Sequence, residues 1–495
     1  MSLPIEIGTD EQFAAVRQFL EKHSYSEETL CKRFGIKKLS EFEDVPDREQ
    51  VEPWDKDATG VLFRLLIETR FIPETMVREK LGEAETDLLE DLGLIHGNAD
   101  NEEEVWSPVS LVPFVGLWSV CDSWHRPDRA VLAPKDPVYA PIVSNAHQFF
   151  RLLPKMPCER LLELCSGTAF AALHGARNYA KEAYGFDISE RSTHFAEFNR
   201  RLNNIPNASM KQGDLYEPSD GMTFDRIIVH PPYVPVLRPK WVFHDGGNDG
   251  EAIVKRVIAE APKHLAPGGL LFMLAMGTDR EKPYQERIRE WLGDSQSDYD
   301  VAVFPIRLVS PDDFATRATA GSKTYTEDQH RFKDLFKQLE IESLVYSVVM
   351  LQRRTTDRPT FTVRRQFGPR TGPSEIDWAL EWETLVVSGE ATERILQSRP
   401  KPNPETELRV LHRLGDGGWE VDEHMLVTRY PFSMEARTDP WAPYLMAACD
   451  TKKTARELFQ QLKQEGVLPE AAPDEEFARA IAILASGGFL FLENL

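Results

Sequence analysis

Phe13, Val16 and Leu20 recur at helical spacing behind Thr9-x-x-Gln12, the pattern of a capped amphipathic helix, and Ser26 opens a second helix ahead of Leu30. An acidic, proline-containing stretch from Glu41 breaks the periodicity and predicts a linker. Helical spacing returns over 61–70, 74–81 and 86–92, and the following VWSPVSLVPFVGLWSVCDSW favours short strands. Three short helices ahead of a small sheet is the order of a winged helix. The helix that would read DNA in such a module, EAETDLLEDLG, is acidic, so packing or dimerisation is the expected role and DNA is not an expected partner.

From about Leu132 to Arg354 the pattern becomes strands alternating with helices, which predicts a mostly parallel sheet covered on both faces. RLLEL, EAYGFDI, ASMKQGDL, FDRIIV and GGLLFMLAM hold five buried strands, with a helix over 191–203 between two of them. DVAVFPI and LVYSVVMLQ follow, around a polar insertion over 310–340 that reads as a lid or as decoration. The strip RRTTDRPTFTVRRQFGPRTGP then sets six arginines against one aspartate, either a solvated linker or a site for phosphate or an acidic partner. Past Ser374 come a mixed region, a helix capped by Thr454-x-x-Glu457, a helix over 474–484 and the strand GGFLFLENL, a second winged-helix-like order. The expected divisions are a helical segment 1–57, a winged-helix-like domain 58–130, a catalytic domain 131–355, an arginine-rich linker 356–373 and a C-terminal α+β domain 374–495. The histidines outside the fourth strand, His23, His96, His147, His174 and His424 among them, lack metal-ligand spacing, and no metal is expected.

A length of 495 residues exceeds one compact core and agrees with about three domains. The net charge of −22 argues against a surface built wholly for nucleic acid or anionic lipid. Five scattered cysteines without a C-x-x-C pair argue against a disulfide framework or a zinc site. The chain shows no run of 18 apolar residues and no basic-then-apolar start, so a cytoplasmic protein without a membrane partner is expected. Oligomeric state is left open.

Candidate chemistry sits at the strand ends. The first strand runs into ELCSGTAFAALHGA, where Gly167 lets backbone approach a ligand and Thr168 is placed to cap the next helix. Cys165 stands where the dinucleotide fingerprint G-x-G-x-x-G has its first glycine, so NAD and an oxidoreductase are disfavoured. Asp187 ends the second strand, 20 residues after Gly167, where a carboxylate accepts from both hydroxyls of a ribose. Asp214 ends the third and can accept from an exocyclic adenine amine. The fourth ends in FDRIIVHPPY, where Pro231 and Pro232 stop ladder pairing and Tyr233 offers a flat face.

Taken together, LLELCSGTA, GFDIS, FNRRLNNI, QGDLY, FDRIIVHPPY, GGNDGEAIVKRVI and LAPGGLLFML resemble the class I S-adenosylmethionine-dependent methyltransferases, specifically the branch with an Asn-Pro-Pro-Tyr motif. That branch includes release-factor glutamine and N6-adenine methyltransferases, and the Gly-Gly-x-Asp-Gly element at 246–250 favours the glutamine and ribosomal methylators. The resemblance covers roughly residues 160–276. It implies a Rossmann-like core with a seven-stranded, mostly parallel sheet, and the element order on either side adds mainly helical, winged-helix-like ends. The resemblance implies S-adenosyl-L-methionine as cofactor, with Glu163, Cys165 and Gly167 around its methionine part and Thr168 as a further cofactor-binding residue. Asp187 would sit at the ribose and Asp214 at the adenine, with Ile188, Leu215 and His230 also among the cofactor-binding residues. His230, Pro231, Pro232 and Tyr233 would hold the methyl acceptor, a nitrogen or an oxygen on a protein, a nucleic acid or a small molecule, with His230 and Tyr233 as the catalytic pair. The chain departs from the pattern at His230, where the branch has asparagine, and at Cys165 and Ala169, where it has glycine. His230 is read as a general base or hydrogen-bond acceptor, with a purely geometric stand-in as the competing reading. The alternative for the whole chain is a catalytically silent, cofactor-binding adaptor with partner-binding ends.

Overall fold

The computed structural model describes residues 3–44, 54–123, 126–128, 136–238, 242–449 and 452–494. Most of the acidic linker expected after Glu41, and the boundary expected near 130, lie outside these residues. The chain divides into two compact units, 1–276 and 277–495.

The central element is an eight-stranded sheet. Its strands are β1 (Cys158–Leu164), β2 (Ala180–Asp187), β3 (Ala208–Gln212), β4 (Phe224–Val229), β5 (Leu265–Asp279), β6 (Tyr299–Val309), β7 (Ser343–Arg353) and β8 (Thr362–Arg364), in the order β8-β6-β7-β5-β4-β1-β2-β3. Pairing is parallel from β5 through β3, and β6 runs antiparallel to β7. This is the Rossmann-like arrangement expected from the alternating pattern. It carries one strand more than the seven expected: β8 comes from the arginine-rich strip and pairs parallel with β6 through Val301 to Val303. Buried β-branched and aromatic residues such as Ile227, Ile228 and Val229 of β4 make these strands rather than helices, because both sheet faces are covered.

In the first unit, α1 (Ser144–Leu152) precedes β1, and α2 (Phe170–Asn178), α3 (Glu190–Leu202) and α4 (Ala252–His264) are crossovers of the sheet. The order reverses between β1 and β4, the position at which such sheets open a crevice above their carboxyl ends. Ahead of the sheet, helices Asp10–Lys22 and Glu27–Phe34 start at the expected caps, Thr9 with a full capping box and Ser26. Helices Ala58–Leu66, Glu74–Leu81 and Glu83–Asp91 follow, then a three-stranded antiparallel sheet and the hairpin Val109–Phe114 with Leu117–Asp122. The helix expected over 61–70 begins earlier, at Ala58, because Asp57 caps it through the Gly60 N–H.

Two side chains tie that hairpin to α3. Asn199 Oδ1 accepts from Val120 N at 2.7 Å while its amide donates to Val120 O at 3.0 Å. Asn203, one turn on, does the same to Trp118 at 2.9 and 2.6 Å. Each carboxamide thereby satisfies one residue's exposed edge groups, as a neighbouring strand would.

In the second unit the polar insertion is a helical pair, Pro311–Ala318 and Tyr325–Gln338, joined by the rings of Phe314, Phe332 and Phe336. The arginines of the strip are paired. Arg358 grips Asp300 at 2.6 and 3.1 Å, Arg364 grips Asp279 at 2.7 and 2.9 Å, and Arg365 meets Glu383 beside Trp378 and Phe432. The C-terminal helices close their own apolar cluster, with Trp378 stacked on Trp382 and Phe459 on Phe477. No helix among the described residues is long and apolar enough to cross a membrane.

Candidate active site

β1 ends at Leu164, and the next turn holds three residues in the left-handed region: Cys165, Gly167 and Ala169, each at φ 54°. This explains why the related motif is written with glycine at these three places; here two of them carry a Cβ at a steric cost. A Cβ added to Gly167 would meet nothing within 4 Å, because the residue faces a cavity of about 600 Å³. Thr168 also lines the cavity but does not cap the helix as expected. Ala169 holds the N-cap position of α2 without a side-chain cap, because the left-handed turn carries the chain one residue further before the helix begins.

Two carboxyl groups organise the turn. Asp187, at the end of β2, accepts from Gly167 N and Ser189 N, each at 2.9 Å. Burial pushes its pKa up, and these N–H donors oppose the rise. A carboxylate has about four lone-pair sites, so acceptor capacity remains for hydroxyls entering the cavity. Glu163, buried within β1, accepts from Ala172 N at 2.7 Å. Burial raises its pKa to about 8, so it carries a proton near neutrality. The Cys165 thiol is likewise pushed up, first by burial and then by Asp187, Asp214 and Glu163.

Ile188 and Leu215 line the same cavity, Leu215 at φ 50° after Asp214. Asp214 is not alone: Arg256 of α4 donates to its Oδ2 at 2.9 Å, a partner 42 residues away that local sequence gives no means to foresee.

The corner after β4 completes the wall. His230 stacks on Phe149 of α1 at 5.2 Å and 13°, and its other neighbour is Tyr233, tilted at 5.7 Å. The Tyr233 hydroxyl accepts from the Asn145 amide at 3.2 Å. His230 Nε2 is buried and has no hydrogen-bond partner in the structure, and burial lowers the imidazole pKa to about 4. The ring is therefore neutral at pH 7, with one donor and one acceptor nitrogen and no charge. Pro231 and Pro232 also border the cavity.

The glycine-rich element braces this corner. Val234 N donates to His244 O at 3.3 Å, Gly246 N to Val234 O at 3.0 Å, and Val236 N to Gly247 O at 3.0 Å. Gly250, at φ 80°, lies so close that a Cβ would stand 2.4 Å from Tyr233 O. The glycines are there for backbone approach. The structure thus brings Glu163, Cys165, Gly167, Thr168, Asp187, Ile188, Asp214, Leu215, His230, Pro231, Pro232 and Tyr233 around one cavity. Sequence reading missed Asp136, Tyr139, Asn145, Phe149 and Arg256, which line it too. The apolar pair Phe149–Phe150 just ahead of the first strand was the available signal for α1.

The geometry is a Rossmann-like sheet with a cavity at the switch point and a strand-end carboxylate holding the first turn. Residues 144–306 match the family model of the methyltransferase small domain, and this part of the chain resembles the class I S-adenosylmethionine-dependent methyltransferases. The chain is 34% identical over 128 residues to a Methanocaldococcus jannaschii protein provisionally named a protein N5-glutamine methyltransferase, covering 25% of this chain and 64% of that one. It is 33% identical to a release factor glutamine methyltransferase of Thermodesulfovibrio yellowstonii (26% and 49% covered) and 32% identical to a ribosomal protein uL3 glutamine methyltransferase of Bradyrhizobium diazoefficiens (29% and 49% covered). The chain therefore spans from about half to just under two thirds of these relatives. The family implies S-adenosylmethionine, and the residues fit it: the Gly167 cradle has room for a bulky group, and Asp187 has acceptor sites left for a ribose.

Proposed function

We propose that this protein transfers a methyl group from S-adenosylmethionine to a nitrogen on a protein side chain. The observation that carries the reading is His230, whose buried Nε2 has no hydrogen-bond partner, set as a residue on the wall of the same cavity that Asp187 and Gly167 line. Asp187 and Ile188 would hold the ribose, Asp214 and Leu215 the adenine, and Glu163, Cys165, Gly167 and Thr168 the methionine part. When bound, the cofactor supplies a methyl carbon already activated by a sulfonium charge. The chain's work is then alignment and exclusion of water. A planar NH2 group brings two donors, and the Nδ1–H tautomer of His230 supplies one acceptor, with the Pro231 and Pro232 carbonyls as candidates for the second. Phe149 fixes the imidazole plane, and Tyr233, held by Asn145, presents its ring to the acceptor. The names of the relatives, which specify glutamine in a release factor or a ribosomal protein, support an amide acceptor.

The segment 58–106 supports a winged-helix-like reading through its helix order and small antiparallel sheet, with a protein rather than DNA as partner. Arg78 is matched by Glu74, Glu83, Asp87 and Glu90, which leaves the would-be recognition face acidic. The five free cysteines support a reducing compartment such as the cytoplasm.

The test has two arms. Calorimetry with S-adenosylhomocysteine should show binding by the unaltered chain and at least a tenfold loss in Asp187→Ala, about the effect of removing a buried acceptor. Incubation with methyl-labelled S-adenosylmethionine and cell extract should put label in protein. Label confined to RNA or small molecules would replace the acceptor class, and an unchanged affinity in Asp187→Ala would remove the site.

A further inference from the structure

Asp136 lies on the cavity wall beside Asp187, 22 residues before β1 and outside every motif of the resemblance. Ser189 joins the two carboxylates: its N–H donates to Asp187 Oδ1 at 2.9 Å and its hydroxyl to Asp136 Oδ2 at 2.8 Å. Asp136 also raises the Asp187 carboxyl, so the two are near enough to repel. Ser189 gives each carboxylate one donor, and vicinal hydroxyls entering the cavity are further neutral donors that would relieve the repulsion.

The segment that delivers Asp136 is anchored from elsewhere. Asp122, the last residue of strand Leu117–Asp122, donates its N–H to Val138 O at 3.0 Å and accepts from Val138 N through Oδ2 at 2.8 Å. The same buried carboxylate takes Arg191 of α3 in a two-point grip, Nε to Oδ2 at 2.8 Å and Nη2 to Oδ1. Arg191 follows Ser189 by two residues. One carboxylate thus fixes the 136–139 segment to the helix that begins next to Asp187. Tyr139 of that segment, edge-on to Phe243 at 4.5 Å, continues the wall.

We infer that Asp136 is a second ligand for the ribose hydroxyls of the cofactor, and that Asp122 is a positioning residue that seats it. The inference rests on the methyltransferase reading and adds a ligand contributed by the chain ahead of the sheet. The roles divide by reach: Asp136 touches the ligand, while Asp122 acts through the Val138 backbone and Arg191.

The experiment is calorimetry on the full chain with S-adenosylhomocysteine and with its 2′,3′-dideoxyribose analogue. Asp136→Asn should weaken the parent compound about tenfold, the range for a hydrogen bond to a charged group, and leave the dideoxy analogue unchanged. Asp122→Asn should show the same selective loss, smaller in size. Wild-type affinity in Asp136→Asn, or an equal loss for both compounds, overturns Asp136 as a ribose ligand while leaving the methyltransferase reading intact. A lowered melting temperature in Asp122→Asn without a selective affinity loss overturns its positioning role. Failure of the unaltered chain to bind S-adenosylhomocysteine overturns the reading and the inference together.

Discussion

The imidazole of His230 lies almost parallel to the ring of Phe149, 13° between planes and 5.2 Å between centroids. One side of the imidazole is thus covered by α1, its Nε2 is buried without a hydrogen-bond partner, and the residue borders the cavity. The stack dries the ring, and drying lowers its pKa to about 4.

A neutral acceptor and a titrating base behave differently. His230→Asn, which keeps an acceptor, should retain label transfer within about tenfold, whereas His230→Ala should lose about ten- to a hundredfold. Transfer by the unaltered protein should persist below pH 6.5 and fall only toward pH 4. An acid limb centred near 6.5 in the rate profile would mark an ordinary histidine base instead. The same shift bears on stability: below pH 6.5 the unfolded chain takes up a proton that folded His230 refuses, so stability falls from pH 6.5 toward 4. His230→Asn should flatten that part of the melting-temperature curve.

Gly250 is predicted to tolerate no side chain. Gly250→Ala places a Cβ 2.4 Å from a backbone oxygen at φ 80°, and Tyr233 must move. The expected cost is about 2–4 kcal/mol, with loss of transfer. Gly35→Ala is the control: φ is 65° but nothing lies within 4 Å, so only the left-handed penalty of about 1 kcal/mol applies. Equal melting temperatures for the two variants would refute the close-approach argument.

Glu163→Gln should stabilise the protein at alkaline pH. The folded carboxyl keeps its proton up to about pH 8 while the unfolded one loses it near 4.5, so stability drains as pH rises between those values. Glutamine does not titrate and still offers an oxygen to Ala172 N. Its melting temperature should match that of the unaltered protein near pH 5 and exceed it at pH 8, by about 2–4 kcal/mol in stability. A constant difference across this range would show that Glu163 is ionised in the folded state.

Cys165→Gly should raise stability by about 0.5–1 kcal/mol, the left-handed penalty less the extra chain entropy of glycine. Denaturant midpoints measure it. In the parent protein the Cys165 thiol should alkylate slowly at pH 7.5, because burial and the Asp187 and Asp214 carboxylates keep it protonated.

The order of strands and helices through the sheet, the four strand-end groups and the caps at Thr9, Ser26 and Thr454 were legible in the sequence, since each depends on periodicity or on residues within a few positions. The glycine-rich element at 246–250 was visible as a pattern, but its reason, close approach to Tyr233, was not. The composition of the arginine strip shows six cations without showing Asp300, Asp279 and Glu383, which pair with three of them.

What the chain's own pattern determined was a Rossmann-like core with polar and small residues gathered at the strand ends, because alternation and turn chemistry are local. Tertiary structure alone decided which distant groups share that rim: Phe149 over His230, Arg256 on Asp214, and Asp136 brought to Asp187 by Ser189 and Asp122. Burial, charge pairing and stacking act through space, and a residue's neighbours in space are fixed only once the sheet has closed its crevice.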